Sequence, residues 1–183
     1  MSADTISDDY LRLQTELHRN PNYGVASLTF APIVANVIKE LHVRTLADYG
    51  AGKQNLLVGL KKAGVSLDAY YPYDPVFPAY GPPKSADLVC CIDVLEHIEP
   101  VKLDNVLEEL ARITTRFGFY SIHMGPAVKV LADGRNAHLI QQPASWWLPR
   151  LSEHFEVIHL QRHQMMGFGI WVIVEPKGKS VAG

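Results

Sequence analysis

Cysteine is scarce in this chain: there are two, Cys90 and Cys91, and they are neighbours. Adjacent cysteines are poorly placed for a structural disulfide, so no covalent staple is expected and a reducing compartment suits the protein. Long apolar runs are also missing, and the polar, acidic stretch from Met1 to Asp9 has no signal-peptide pattern, so a cytoplasmic protein without a membrane span is expected. Neither charge dominates. Against 19 Asp and Glu stand 17 Lys and Arg, a net charge of −2 that supplies no electrostatic footprint for nucleic acid. No internal repeat or low-complexity linker divides the sequence. What is left, 183 residues of which 48% are hydrophobic and 20% charged, is enough for a core of its own and fits one domain over residues 1–183.

Periodicity supplies the elements. Asp4 to His18 reads as a helix stopped at Asn20-Pro21-Asn22, and Pro32 to Leu41 as a second, with Ile33, Val34, Val37, Ile38 and Leu41 on one stripe. Thr45 to Tyr49 reads as a strand, Leu56 to Ala63 as a helix ended by Gly64, and Leu67 to Tyr73 as a second strand. Asp87 to Ile92 is an uninterrupted apolar run of the kind buried on both faces of a parallel sheet. Pro100 opens a helix carrying Leu103, Val106, Leu107, Leu110 and Ile113, and Phe117 to Met124 is a further strand. Ala144 to Glu153 follows as a helix that packs through Trp146, Trp147 and Leu151. Glu156 to Leu160 and Gly169 to Glu175 form a strand pair joined by a loop holding Met165, Met166 and Gly167. Alternating βα units predict an α/β fold with a doubly wound, mostly parallel sheet of about six strands, one of them antiparallel. The layout divides into an N-terminal helical segment (1–43), a first half (44–124) and a second half (125–183).

Only twelve residues separate Asp74 from Asp87, and they include Pro75, Pro78, Gly81, Pro82 and Pro83. Proline removes backbone donors and breaks helices, so this segment is expected to be an irregular loop.

Ligands of open α/β sheets bind outside the carboxyl ends of the strands. Two segments deliver polar groups there. Leu46-Ala47-Asp48-Tyr49-Gly50-Ala51-Gly52 runs a strand into a glycine turn, which permits close backbone approach to a ligand. Asp87 to Pro100 ends its strand in Asp93, Glu96 and His97; read as a helix, the spacing puts all three on one face. Asp74, twenty-two residues after Gly52, closes the second strand with a carboxylate able to accept both hydroxyl hydrogens of a ribose. It also suits a turn before Pro75. A dinucleotide fingerprint would need a third glycine where Asn55 stands, which counts against an NAD-dependent oxidoreductase.

In this order the two segments resemble the class I S-adenosylmethionine-dependent methyltransferases, the second being similar to their D-V-L-E-H signature. The resemblance covers about Thr45 to Met124 and implies a Rossmann-like methyltransferase fold, with S-adenosyl-L-methionine as cofactor and S-adenosyl-L-homocysteine as product. It implies that Asp48 lies near the aminoacyl end of the cofactor, that Tyr49, Gly50, Ala51 and Gly52 let it approach, that Tyr73, Asp74 and Pro75 hold its ribose side, and that Cys91, Ile92 and Asp93 line the same site. The family normally inserts a helix and a third strand where this chain has its proline-rich segment, so that unit is expected to be reduced. The half 44–124 thus becomes the cofactor side and 125–183 the acceptor side, with residues 1–43 able to close as a lid.

His97, with Asp93 or Glu96, is the candidate catalytic base. Small-RNA 2′-O-methyltransferases and ubiquinone-biosynthesis O-methyltransferases carry an E-x-x-E-H cluster that can hold a divalent cation. The similar set here is Asp93, Glu96 and His97, with His138 as candidate fourth ligand. Arg135, Asn136 and His138 are the candidate acceptor-binding residues, for a small molecule or a glycan. A non-catalytic methyltransferase-like subunit is the remaining alternative, disfavoured because a scaffold needs no set such as Gly50, Gly52, Asp74 and Asp93.

Overall fold

A computed structural model of the chain describes residues 4–165 and 167–178. Its elements are α1 (Asp8–His18), α2 (Ala26–Glu40), β1 (Thr45–Tyr49), α3 (Asn55–Lys62), β2 (Ala69–Tyr73), β3 (Ala86–Ile92), α4 (Leu103–Ile113), β4 (Thr114–His123), α5 (Ala144–His154), β5 (Phe155–His163) and β6 (Gly169–Pro176). The six strands make one sheet in the order β2-β1-β3-β4-β6-β5. Strands β1 to β4 are parallel, and β6 runs antiparallel to both β4 and β5. This is the expected doubly wound α/β sheet with one reversed strand. Met166, expected in the β5–β6 loop, lies outside the described residues. No helix among the described residues is long and apolar enough to cross a membrane.

Strand β3 shows why the sheet takes helices on both faces. Successive side chains of a strand point to opposite sides. Val89 and Cys91 enter a core with Leu103, Val106, Leu107 and Leu110 of α4 and Trp147 and Leu151 of α5. Leu88, Cys90 and Ile92 enter the other, with Phe30, Val34 and Ile38 of α2 and Leu56 and Leu60 of α3. The two cysteines therefore sit on opposite faces of the sheet, both free and buried.

Three helix starts differ from the sequence reading: Pro100–Lys102 is a separate 3₁₀ turn, so α4 begins at Leu103, and α1 and α2 are displaced as well. The Ser7 hydroxyl accepts the Tyr10 N–H and caps α1, so that helix begins at Asp8 rather than Asp4. Helix α2 begins at Ala26, six residues before Pro32, because its buried stripe extends back through Ala26, Phe30 and Ala31. Pro32 sits inside the helix, and the Leu28 carbonyl loses its i+4 donor there.

The segment from Pro75 to Ser85 contains one short 3₁₀ turn, Pro78–Tyr80, and no strand. Strand β2 is consequently an edge. Its last residue turns its carbonyl toward β1, where the Gly50 and Ala51 N–H groups donate to Tyr73 O at 2.8 and 2.9 Å. Pro72, one position earlier, therefore has its nitrogen on the outer side, where no ladder partner needs a donor.

At the amino end of the sheet, Asp87 clamps β3 to β1. One carboxylate oxygen accepts the Arg44 and Thr45 N–H groups at 2.9 and 3.0 Å, and the Thr45 hydroxyl accepts the Asp87 N–H at 2.9 Å. Replacing Asp87 by alanine strands two amide donors of a half-buried edge, and the cost expected is about 1.5–3 kcal/mol. Urea unfolding of Asp87→Ala should show that loss with an unchanged slope; a midpoint equal to the wild type would contradict the clamp.

Candidate functional site

Because β1, β2, β3 and β4 are parallel, their carboxyl ends share one edge, and a cavity of about 310 Å³ opens there. One wall is the turn after β1. Gly50 and Gly52 have φ of +80° and +48°, and a Cβ on Gly50 would lie 2.3 Å from Val94 Cγ2, so only glycine fits that position. Asp74 stands across the turn, one oxygen accepting the Gly52 N–H and the other the Val76 N–H, both at 2.9 Å. Burial raises its carboxyl above the ordinary range, opposed by those two bonds and by nearby His18. Asp48, in β1, takes a hydrogen bond from the Tyr70 hydroxyl. Burial pushes its carboxyl up to about 7, the Tyr70 bond opposing and the Asp74 charge adding.

The opposite wall is polar in another way. After Ile92 the chain turns through Asp93 at φ +55°, with the Asp93 N–H held by Ser121 O and Oγ, both at 3.1 Å. Leu95–His97 is then a single 3₁₀ turn. Asp93 is thus off the helical turn, which corrects the spacing argument: what brings it to Glu96 is its left-handed backbone. Glu96 is entirely buried, and its Oε1 accepts the His123 N–H from the end of β4 at 2.8 Å. Its Oε2 is buried with no N–H donor upon it, and the Asp93 carboxyl lies within hydrogen-bonding reach of the Glu96 carboxyl. Burial, and then the neighbouring Asp93, hold the Glu96 carboxyl well above its usual range.

His97 and His138 meet here with ring centroids 4.7 Å apart, and His123 lies 4.7 Å from His138. His97 Nδ1 donates to Ala137 O at 2.8 Å and His138 Nδ1 donates to Gly125 O at 2.7 Å, which leaves both Nε2 lone pairs free. Burial, assisted by His138, lowers the His97 imidazole to about 3, so it is neutral at physiological pH; burial lowers His138 as well. One ligand atom each from Glu96, His97 and His138 lies within 4.8 Å of the others. Asp93 is not part of that trio. Two imidazoles with tautomers fixed by backbone carbonyls, and the buried Glu96 carboxyl beside them, suit a divalent transition metal with open positions.

A third wall comes from the N-terminus. Helix α1 lies across the carboxyl edge, with Tyr10 packed on Leu131 and Ala137 of the loop after β4. The Tyr10 hydroxyl donates to His97 O, and Gln14 Nε2 donates to the Tyr10 hydroxyl, both at 2.6 Å. His18 and Tyr23 reach the cavity from the end of this cover.

Asp48, Tyr49, Gly50, Ala51, Gly52, Tyr73, Asp74, Pro75, Ile92, Asp93, His97 and His138 all border the one cavity. Cys91 does not: its side chain is fully buried in the core beneath the sheet. Arg135 and Asn136 do not border it either. Arg135 pairs with Asp133 at 2.7 Å and lies over the Tyr10 ring. Asn136 uses its amide inside the loop, Oδ1 accepting the Ala127 and His138 N–H groups and Nδ2 donating to Ala127 O. Sequence reasoning missed His123, although it ends a strand at the same sheet edge as Asp93, and it missed Tyr10, Gln14 and His18.

No protein-family model matches this chain, and no curated protein matches it in sequence. Solved structures do match in fold. The 1,6-didemethyltoxoflavin-N1-methyltransferase of Burkholderia thailandensis, solved with 1,6-didemethyltoxoflavin and S-adenosylhomocysteine, has a TM-score of 0.65 at 12% identity, over 96% of this chain and 93% of its own. The magnesium protoporphyrin IX methyltransferase of Synechocystis PCC 6803 with bound SAM scores 0.62 at 16% identity, over 92% and 94%. The mitomycin 7-O-methyltransferase scores 0.63 at 16% identity, over 88% of this chain and 60% of its own. The chain therefore has the Rossmann-like fold of these methyltransferases.

Asp48 yields a test of the buried site. Its carboxyl titrates higher in the folded chain, at about 7, than the ordinary value near 3.9. Its contribution to stability is therefore full below about pH 4 and is lost as pH rises through about 7. Between pH 5 and 8 the ligand-free Asp48→Asn variant should lose roughly 2–3 kcal/mol less stability than the wild type. Parallel urea titrations at the two pH values would exclude this if the two proteins lost the same amount.

Proposed function

We propose that the chain is an S-adenosylmethionine-dependent methyltransferase that methylates an oxygen or nitrogen of a small-molecule or glycan acceptor. The observation that carries this reading is the single cavity joining the Gly50–Gly52 turn and Asp74 to His97, His123 and His138. The first group has the chemistry of an adenosyl-cofactor site: a turn without Cβ obstruction, a carboxylate for ribose hydroxyls, and Asp48 for a cationic aminoacyl end. The second is a set of proton acceptors a short way off. The N- and O-methyltransferases sharing the fold, one solved with its small acceptor in place, support the same reading.

The reaction is an in-line displacement. A lone pair of the acceptor forms a bond to the methyl carbon as the carbon–sulfur bond breaks, and its electrons leave sulfur as a neutral thioether. Positioning supplies most of the acceleration. The acceptor's proton passes to His97 Nε2, which is free because Nδ1 is engaged by Ala137. Burial disfavours an imidazolium, but the sulfonium charge disappears in the same step, so the site's net charge is unchanged by the transfer. The cover formed by α1 keeps water from competing.

The approach of ligand atoms of Glu96, His97 and His138 within 4.8 Å favours a second reading of the same cluster: the three would hold a divalent cation. Such an ion would lower the pKa of a coordinated acceptor hydroxyl and orient it.

Calorimetry should detect S-adenosylhomocysteine binding to the purified chain, with Asp74→Ala weakening it by about 1.5–3 kcal/mol. No binding, while a nicotinamide dinucleotide does bind, would move the assignment to an oxidoreductase. With an acceptor found by mass-spectrometric screening of extract with labelled cofactor, His97→Ala should lower kcat by about 10²–10⁴-fold and leave cofactor affinity near wild type. Loss of transfer on chelation, restored by one divalent ion, selects the metal reading; indifference to chelators selects the base.

A further inference from the structure

The loop after β4 wears its amphipathic pattern inside out. Residues 129–137 form a short hairpin, in which Ala137 N–H donates to Lys129 O at 3.0 Å and Leu131 N–H donates to Arg135 O at 2.8 Å, on either side of the Val130–Asn136 bridge. Side chains alternate along such a ladder, so Lys129 and Leu131 leave it on one face and Val130 on the other. Leu131 is buried with Tyr10 and Ala137. The face that carries Lys129 is therefore the inner one, directed at α1, and Lys129 is half-buried and borders the cavity. Val130, on the outer face, is 59% exposed, and Val128 before it 98%. Apolar burial alone would favour the reverse, with valine inside and lysine in water.

The Lys129 ammonium is unpaired. Arg135 of the same hairpin is held by Asp133, and Lys53, behind the glycine turn, by Asn20 O, but Lys129 meets no carboxylate among the described residues. Its Nζ is not among the partnerless side-chain atoms closed to solvent, so a ligand can reach it. It is also the one Lys or Arg that borders the cavity among the described residues. The carboxylates there are Asp48, Asp74 and Asp93, at the carboxyl ends of β1, β2 and β3, and Glu99, which is held by Ser7. The lysine stands on the other side. Ala137, bonded to the Lys129 carbonyl, precedes His138, and its own carbonyl accepts the His97 Nδ1–H at 2.8 Å.

Resting on the methyltransferase reading above, we propose that Lys129 is an acceptor-binding residue and that the acceptor is an anion: the ammonium holds a carboxylate or phosphate-ester group of the acceptor while the oxygen or nitrogen to be methylated lies at His97. A compact charge on a flexible stem suits one anionic group at a distance set by the acceptor itself. Half-burial strengthens that attraction relative to a pair in open water. The acidic cofactor end repels the same group, so an anionic acceptor has one favoured orientation in the cavity.

The test uses the full chain, labelled S-adenosylmethionine and a small-molecule extract divided by anion exchange at neutral pH. Wild type should label a component of the retained, anionic fraction, and the product should itself be anionic. Lys129→Met should need about 10–100-fold more of that fraction to reach half its maximal rate, with the maximal rate and the calorimetric affinity for S-adenosylhomocysteine near wild type, and Lys129→Arg should recover most of the loss. Phosphatase treatment of the fraction distinguishes the two anions, abolishing the labelling of a phosphate ester and sparing that of a carboxylate. Thermal melts of the ligand-free variants check that each is folded. A labelled product absent from the anionic fraction overturns the proposal, and so does half-saturation of Lys129→Met at the wild-type concentration. A matching loss of S-adenosylhomocysteine affinity assigns the lysine to the cofactor's own carboxylate and overturns it too. A wild-type chain that binds no S-adenosylhomocysteine overturns the methyltransferase reading itself, so the two failures are distinguishable.

Discussion

One carboxylate, removed from water, holds the working edge of this protein together. Glu96 accepts the His123 N–H through Oε1, and its own carbonyl accepts the Ile140 N–H at 2.9 Å. It therefore fastens the exit of β3 to the end of β4 and to the long loop that precedes α5. His97 leaves the same 3₁₀ turn and pins Ala137 of that loop, so both bonds fix where His138 arrives. Burying a carboxyl this completely costs several kcal/mol if it is charged and unpaired. The chain answers that cost by holding the group's pKa high, with the Asp93 carboxyl beside it. Stability alone would favour an apolar residue there.

The fold was largely legible because its signals are local. The unbroken apolar run of β3, the stripes of α2 and α4 and the proline-rich gap after Asp74 each have one physical reading, and together they point to a parallel sheet with no strand in the gap. The glycine turn and Asp74 were legible for the same reason, since a strand's carboxyl end is where such groups are useful. Asp93, Glu96 and His97 were found together, but through a helix that does not form. A residue at φ +55° achieves their meeting, and nothing in the letters around Asp93 announces a left-handed turn.

What escaped notice depends on contacts between distant segments. His123 is one strand away from Glu96, and its role needs the register of β4 beside β3. His18 and Tyr10 belong to a helix that the family resemblance allowed as a lid, but nothing in its sequence says which of its side chains reach the site. Asn136 illustrates the reverse error. An amide in a polar loop reads as a ligand, but this one closes the loop on itself through three backbone hydrogen bonds, and that closure helps to deliver His138.

The shortened sheet carries a further consequence. Strand β2 is an outer one, and an uncovered row of amides invites another chain to dock as an extra strand. On β2 that row is broken by Pro72, whose nitrogen faces outward with nothing to donate. Lys84, from the proline-rich segment, adds a cation over the Tyr71 ring. A neighbouring strand would meet a gap in its ladder and a charge at its flank. Pro72 of β2 and Lys84 of the loop that follows thus keep the exposed border from adhering to its own kind.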